Sequence, residues 1–262
     1  MARWLSPDPH KAWAELYFLA YSPVWMAAVG LVMLTGWIMA WDDASYILFG
    51  IGVAAPLVVG PWILHRRHGR NAPILDSYWV KLNVWIAIVV AFGTYFGTHY
   101  FFDLMGMRYA FPVTWTWSSA VVGRTPGEVP MFMYPLTQAY FVTYFVGLSV
   151  LWRYTRTRWR LGPLGSALVL LPIAYAVAFG ETFFMANDAL AALFSYADRT
   201  RMLALGSIGY MIYFVIGLPM FFRIHERQGE AWPMHRVVVE ALATCMLILC
   251  GLEAWAKLVG PL

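Results

Sequence analysis

Apolar residues run along this chain in blocks of about twenty, interrupted by short polar stretches, and blocks of that length are what a helix needs to cross a hydrocarbon core. Seven blocks stand out, near residues 20–41, 46–64, 79–101, 133–152, 163–184, 204–222 and 237–258. They are continuously apolar, without the alternation of a barrel strand, and this predicts helices. The expected fold is an all-α integral membrane protein, a bundle of about seven transmembrane helices forming one domain over residues 1–262. Before the first block comes the polar stretch Ser6-Pro7-Asp8-Pro9-His10-Lys11, with no small-residue cleavage site, so the block reads as a retained helix.

Composition agrees: 61% of the 262 residues are hydrophobic and 12% are charged, too few charges to clothe a soluble domain of that size. The net charge of +4 does not mark a nucleic-acid binder, because the basic residues are spread over alternate loops. Arg3 and Lys11 precede the first block; Arg66, Arg67 and Arg70 join the second to the third; Arg153, Arg156, Arg158 and Arg160 join the fourth to the fifth; Arg223, Arg227 and Arg236 join the sixth to the seventh. With seven spans these segments share one side, which the positive-inside rule makes cytoplasmic, leaving the C-terminus outside or in a lumen. Cys245 and Cys250 lie within the last block and read as buried thiols.

Polar groups inside spans are costly and so become candidates for function. Glu181, near the end of the fifth block, and His99, near the end of the antiparallel third, share a depth on the non-cytoplasmic side, with Asp198 in the adjoining outer loop. Lys81, Trp85, Ile88, Phe92, Tyr95 and His99 recur at helical spacing and predict one aromatic face with a polar group at each end; Gly93 and Gly97 form a small-residue pair on another. The outer connection from about 102 to 132 has the aromatic content of an interfacial cover, with Trp115 and Trp117. The six histidines are too scattered for a clustered metal site, and no metal is predicted. A phosphate loop, a serine elbow and a CxxC pair are all missing from the sequence, which leaves acid/base chemistry or binding.

Several strings make the chain recognisable: Trp13-Ala14-Glu15-Leu16-Tyr17-Phe18, Tyr78-Trp79-Val80-Lys81-Leu82-Asn83-Val84-Trp85, Thr98-His99-Tyr100-Phe101-Phe102, Tyr109-Ala110-Phe111-Pro112, Glu181-Thr182, Ala186-Asn187, Asp198-Arg199 and Pro219-Met220-Phe221-Phe222-Arg223. Across nearly its whole length it resembles the cycloeucalenol cycloisomerase family of plant sterol synthesis. It departs from that family in a longer Val113–Met133 connection, and in Met131 and Gln138 where the plant enzymes carry histidines.

The resemblance implies a redox-neutral isomerisation, in which a 9β,19-cyclopropane ring of a sterol of cycloeucalenol or cycloartenol type opens to a Δ8 double bond. An acid and a base are required and no cofactor. A carboxylic acid held neutral in an apolar pocket suits the first role. Glu181 is the first choice of acid and Asp198 the second; His99 would orient or recharge the acid, or act as base. Trp85, Tyr95 and Tyr213 would face the transient cation. Tyr100 joins the substrate-binding candidates, and the sterol hydroxyl would be held by Asn83 or Lys81 near one interface or by Asn187 near the other.

The implied partners are a membrane sterol and the bilayer itself, with no nucleic acid. The setting would be a bacterial inner membrane or a eukaryotic endoplasmic reticulum. A noncatalytic sterol or lipid binder, and an isomerase that moves a ring double bond, are the competing readings.

Overall fold

A computed structural model describes residues 2–67, 73–125, 127–227 and 229–262, without the side chains of 65–67. His65, Arg66 and Arg67 as side chains, and His68 and Arg70 altogether, lie outside what it describes. The elements are α1 (Pro9–Leu34), α2 (Asp43–Ala54), α3 (Pro56–Arg67), α4 (Tyr78–Phe92), α5 (Thr98–Met105), β1 (Met107–Tyr109), α6 (Met133–Arg158), α7 (Pro163–Met185), β2 (Phe194–Tyr196), the single turn α8 (Arg199–Arg201), α9 (Ser207–Phe222) and α10 (Met234–Val259). α2 with α3, and α4 with α5, are each one interrupted span. The described residues thus form seven long helical units, and six of them are long and apolar enough to cross a membrane. The chain is an integral membrane protein.

The remaining long helix, α6, falls short in apolarity because Thr137, Gln138, Tyr140, Thr143 and Tyr144 lie along it. These residues serve the interior. Thr143 accepts from the Trp25 indole at 2.9 Å and shares a 2.8 Å hydrogen bond with Ser22, joining α1 to α6 by the kind of polar contact that holds helices together in lipid. The buried core of tryptophan, phenylalanine and tyrosine rings spans α1, α2, α4, α6 and α9, with aliphatic residues of α7 and α10 packed into it.

The observed helices match the expected spans to within a few residues, with one correction. The first begins at Pro9, eleven residues before the apolar block, and ends at Leu34. Asp8 caps it, its carboxylate accepting from the backbone N–H groups of His10 and Lys11 at 2.9 Å each. Hydropathy excludes this start because Lys11 and Glu15 interrupt the pattern, yet both side chains are fully buried and paired.

Lys11 Nζ donates to the carbonyls of Phe222 and Ile224, at 2.6 and 2.8 Å, and lies 3.0 Å from the Glu226 carboxylate. Arg153, 2% exposed, donates two hydrogen bonds to Glu15, at 2.7 and 3.0 Å, and two to Glu226, at 2.7 and 2.8 Å. It also reaches the Trp4 carbonyl at 2.8 Å. Two cations and two carboxylates balance, and they fasten α1, α6 and the α9–α10 connection together at one end of the bundle.

A two-stranded antiparallel sheet adds to the all-α expectation. β1 pairs with β2 in the register Met107 to Tyr196, Arg108 to Ser195 and Tyr109 to Phe194. Strand alternation sends Met107, Tyr109, Phe194 and Tyr196 to one face.

Replacing Arg153 by Met would leave two buried carboxylates facing one another without their shared cation. An unfolding free energy lower by about 3–5 kcal/mol is expected, measurable by equilibrium denaturation in detergent micelles. A second test concerns His225, which lies just past α9 with Lys81 Nζ 3.2 Å from its Nε2. Burial first, then the Lys81 ammonium, hold its imidazolium pKa down at about 4. The folded chain therefore takes up this proton later than the unfolded chain, whose histidine titrates near 6.5. The contribution is complete above about pH 6.5 and fades as pH falls towards 4. Melting temperature should drop over that window, and less steeply in His225→Gln.

Candidate active site

A cavity opens among α4, α5, α6, α7, α9 and the two strands, with about 800 Å³ of space unfilled by atoms, its mouth included. Glu181, from the last turns of α7, is the one charged residue among those lining it. Five tyrosines line it as well: Tyr109 from β1, Tyr140 from α6, Tyr196 from β2, and Tyr210 and Tyr213 from α9. The Tyr210 hydroxyl donates a short hydrogen bond to Glu181 Oε2, and the Tyr144 phenol lies close to the same carboxyl. Among the described residues no lysine, arginine or histidine pairs with Glu181.

Each wall has a local cause. The shared face of the β1–β2 pair supplies Met107, Tyr109, Phe194 and Tyr196. Burial first, then the Glu181 carboxyl, push the phenols of Tyr109 and Tyr196 above the ordinary tyrosine range, so both remain protonated donors. On the opposite side a π-helical turn, Gly93–Gly97, joins α4 to α5 and presents Gly93, Thr94 and then Thr98 to the cavity. The two glycines of that turn also receive the Tyr213 ring: a Cβ at Gly93 would lie 3.2 Å from it, and one at Gly97 would collide with its hydroxyl. This is the close contact expected from the small-residue pair.

The same π turn breaks the expected aromatic face. One extra residue in a turn rotates everything beyond it by roughly 100°, so Tyr95 and His99 do not continue the line of Lys81 and Trp85. Val90, Thr94, Thr98 and Phe101 face the cavity instead.

Of the residues singled out from sequence, Glu181 and Tyr213 line the cavity and the others do not. His99 is buried under the backbone of Gly123 and against Phe102, with neither ring nitrogen hydrogen-bonded among the described residues. Asp198 is exposed and caps α8, accepting from Arg201 N at 2.9 Å. Trp85 packs between Phe145 and Phe221, and Tyr95 against Trp117. Tyr100 donates to Glu253 of α10 at 2.5 Å. Asn187 is held within its own turn by Phe184 O and Leu190 N.

Lys81 bonds the Asp76 carbonyl at 2.9 Å, at the end of the bundle that also holds Lys11. Asn83 donates at 3.1 Å to Leu57 O, the carbonyl that Pro61 leaves without its helical partner. Sequence reasoning passed over Tyr109, Tyr140, Tyr144 and Tyr196. The spacing of Tyr140 and Tyr144 along α6 is a signal that would have found two of them.

Carboxylates tie down the outer connection. Asp103 accepts from the backbone N–H groups of Arg124 and Thr125 at 2.7 Å each, and Asp43 from those of Thr114 and Trp115 at 2.8 and 2.9 Å. Among the described residues no three His, Cys, Asp or Glu side chains converge as a metal site would require.

The chain is 33% identical over 267 aligned positions to the cycloeucalenol cycloisomerase of Arabidopsis thaliana, an alignment covering 99% of this chain and 90% of that protein. No family model matches it, and no solved structure does.

The Gly97 contact yields a paired test. Gly97→Ala should destabilise the protein by about 1–3 kcal/mol, because the new methyl meets the Tyr213 hydroxyl. Adding Tyr213→Phe removes that hydroxyl and should restore part of the loss. Thermal unfolding of the single and double variants reads the coupling directly.

Proposed function

Since the chain belongs to the cycloeucalenol cycloisomerase family, we propose that it opens the 9β,19-cyclopropane ring of a membrane sterol of cycloeucalenol or cycloartenol type to give a Δ8 product. The observation that carries this reading is Glu181, among the described residues the only charged side chain lining a cavity whose other walls are apolar, phenolic and threonine side chains. In the forward step the carboxylic acid gives its proton to C19 as the C9–C19 bond breaks, and the electron pair of that bond forms the new C–H bond. Positive charge develops at C9, where the ring faces of Tyr213, Phe101, Phe141 and Tyr140 would offset it.

The C8–H bond then gives up its electrons to the C8–C9 double bond, and its proton returns to a base. The carboxylate left on Glu181 is the anion nearest to hand, steadied meanwhile by the hydrogen bond from Tyr210. One carboxyl thus serves as acid and then as base, the chain ends as it began, and neither oxidant nor reductant is consumed. Asp198, as an alternative proton carrier, is part of the test; His99, buried away from the cavity lining, is not assigned a step.

The apolar exterior of the bundle suits a substrate that travels within the bilayer. The arginine-rich end, with Arg153, Arg156, Arg223 and Arg236, reads as cytoplasmic, and the molecule as a single transmembrane domain.

The test is expression in a sterol-defined host without a cyclopropyl isomerase, fed cycloeucalenol and cycloartenol, with loss of the cyclopropane proton signals followed by NMR and Δ8 product by gas chromatography. Glu181→Gln should reduce conversion by about 100-fold or more while the protein still folds and binds sterol; Asp198→Asn should leave it within a few-fold of wild type. Full turnover by a folded Glu181→Gln variant would sink the assignment. No conversion of either sterol by the wild-type protein would argue for a lipid binder or a different ring isomerisation.

A further inference from the structure

A second cavity lies at the arginine-rich end, where α6 finishes and α9 passes into α10, with about 800 Å³ of space including its mouth. Arg156, Arg223, Arg227 and Arg236 line it. The two carboxylates that share the lining are already engaged, Glu226 by Lys11 and Arg153, and Glu230 by Arg227 at 3.4 Å. Arg236 lies 3.6 Å from Glu240. Among the described residues neither Arg156 nor Arg223 has a carboxylate within 4.0 Å. Of the four guanidinium groups around this space, Arg227 and Arg236 already have carboxylate partners, and Arg156 and Arg223 supply the unpaired positive charge.

The guanidinium groups also lie over aromatic rings. Arg236 is 3.9 Å and Arg223 5.5 Å from the centre of the Trp232 ring, and Arg156 is 4.5 Å from that of Trp152. Cation–π attraction of this kind helps to hold a guanidinium in place, and its planar fork of N–H donors matches phosphate. Topology alone asks only that basic residues lie near the membrane. It does not gather four of them around one cavity or set three on aromatic rings.

Below Arg236, the residues Val239, Leu242 and Met246 of α10 are 62%, 56% and 58% exposed, and their spacing puts them on one face. An apolar strip thus runs from the cavity along the outside of the bundle. We propose that the cavity binds a phosphate group, with the strip beneath it receiving the acyl chain of an anionic phospholipid that carries the phosphate.

Native mass spectrometry of the detergent-solubilised full chain, with phosphatidylglycerol or phosphatidylcholine added at equal concentration, tests this. The wild type should retain one phosphatidylglycerol in preference to phosphatidylcholine. Arg156→Gln/Arg223→Gln should bind it roughly tenfold more weakly, whereas Arg108→Gln/Arg124→Gln, elsewhere on the chain, should match the wild type. Single Arg223→Gln provides the comparison if the double variant unfolds.

A separate arm measures thermal stabilisation by inorganic phosphate. Stabilisation that the arginine variants lose, without preferential retention of phosphatidylglycerol, would keep the phosphate site but assign it to a soluble ligand. Equal retention of both lipids without stabilisation by phosphate, or equal behaviour of wild type and arginine variants, overturns the proposal.

Discussion

Arg153 stands between Glu15 and Glu226, and much of the architecture depends on that arrangement. A cation with no access to water needs its charge balanced and its N–H groups occupied, and here two carboxylates and the Trp4 carbonyl do both. Lys11 completes the balance and spends its remaining donors on the carbonyls of Phe222 and Ile224 at the end of α9. Four charges from three distant parts of the chain therefore specify how the first, fourth and last two spans meet. A greasy contact of equal area would tolerate many rotations of one helix against another; this one tolerates a single registration.

The opposite situation holds at Glu181. Its carboxyl faces a cavity without a cation partner among the described residues, and its hydrogen bond comes from a neutral phenol, that of Tyr210. A phenol donates to a carboxylate without cancelling its charge, so the group is held in position while keeping its capacity to exchange a proton. The molecule thus keeps its fully matched charges at one end, for structure, and a single unmatched carboxyl in the cavity.

Much of this was readable in the sequence, for identifiable reasons. Continuous apolar runs located seven helices, because lipid leaves a spanning backbone few alternatives. Glu181 stood out because carboxyls are rare in such runs. The start of α1 was not readable, since a hydropathy pattern cannot anticipate that Lys11 and Glu15 will meet partners more than a hundred residues away. Hydropathy also gives depth along the membrane normal and says nothing of direction around a helix. His99 and Asp198 are thus adjacent to Glu181 in depth on paper, yet the structure places His99 beneath Gly123 and Asp198 at a helix cap. The π turn at Gly93–Gly97 defeats periodicity outright, because no residue type announces it. The tyrosines around the cavity come from α6, α9 and both strands, so only the folded chain assembles them.

Among the described residues, the cavity takes no lining residue from α1, α2, α3 or α10. Those four helices contribute packing and much of the lipid-facing surface, and their outer residues answer to the bilayer. Outer positions of that kind could follow the thickness and lipid composition of a host membrane. Changes there would leave the cavity lining, drawn from α4 to α9 and the two strands, as it is. One lineage would then be able to colonise membranes of different build without having to reinvent its chemistry.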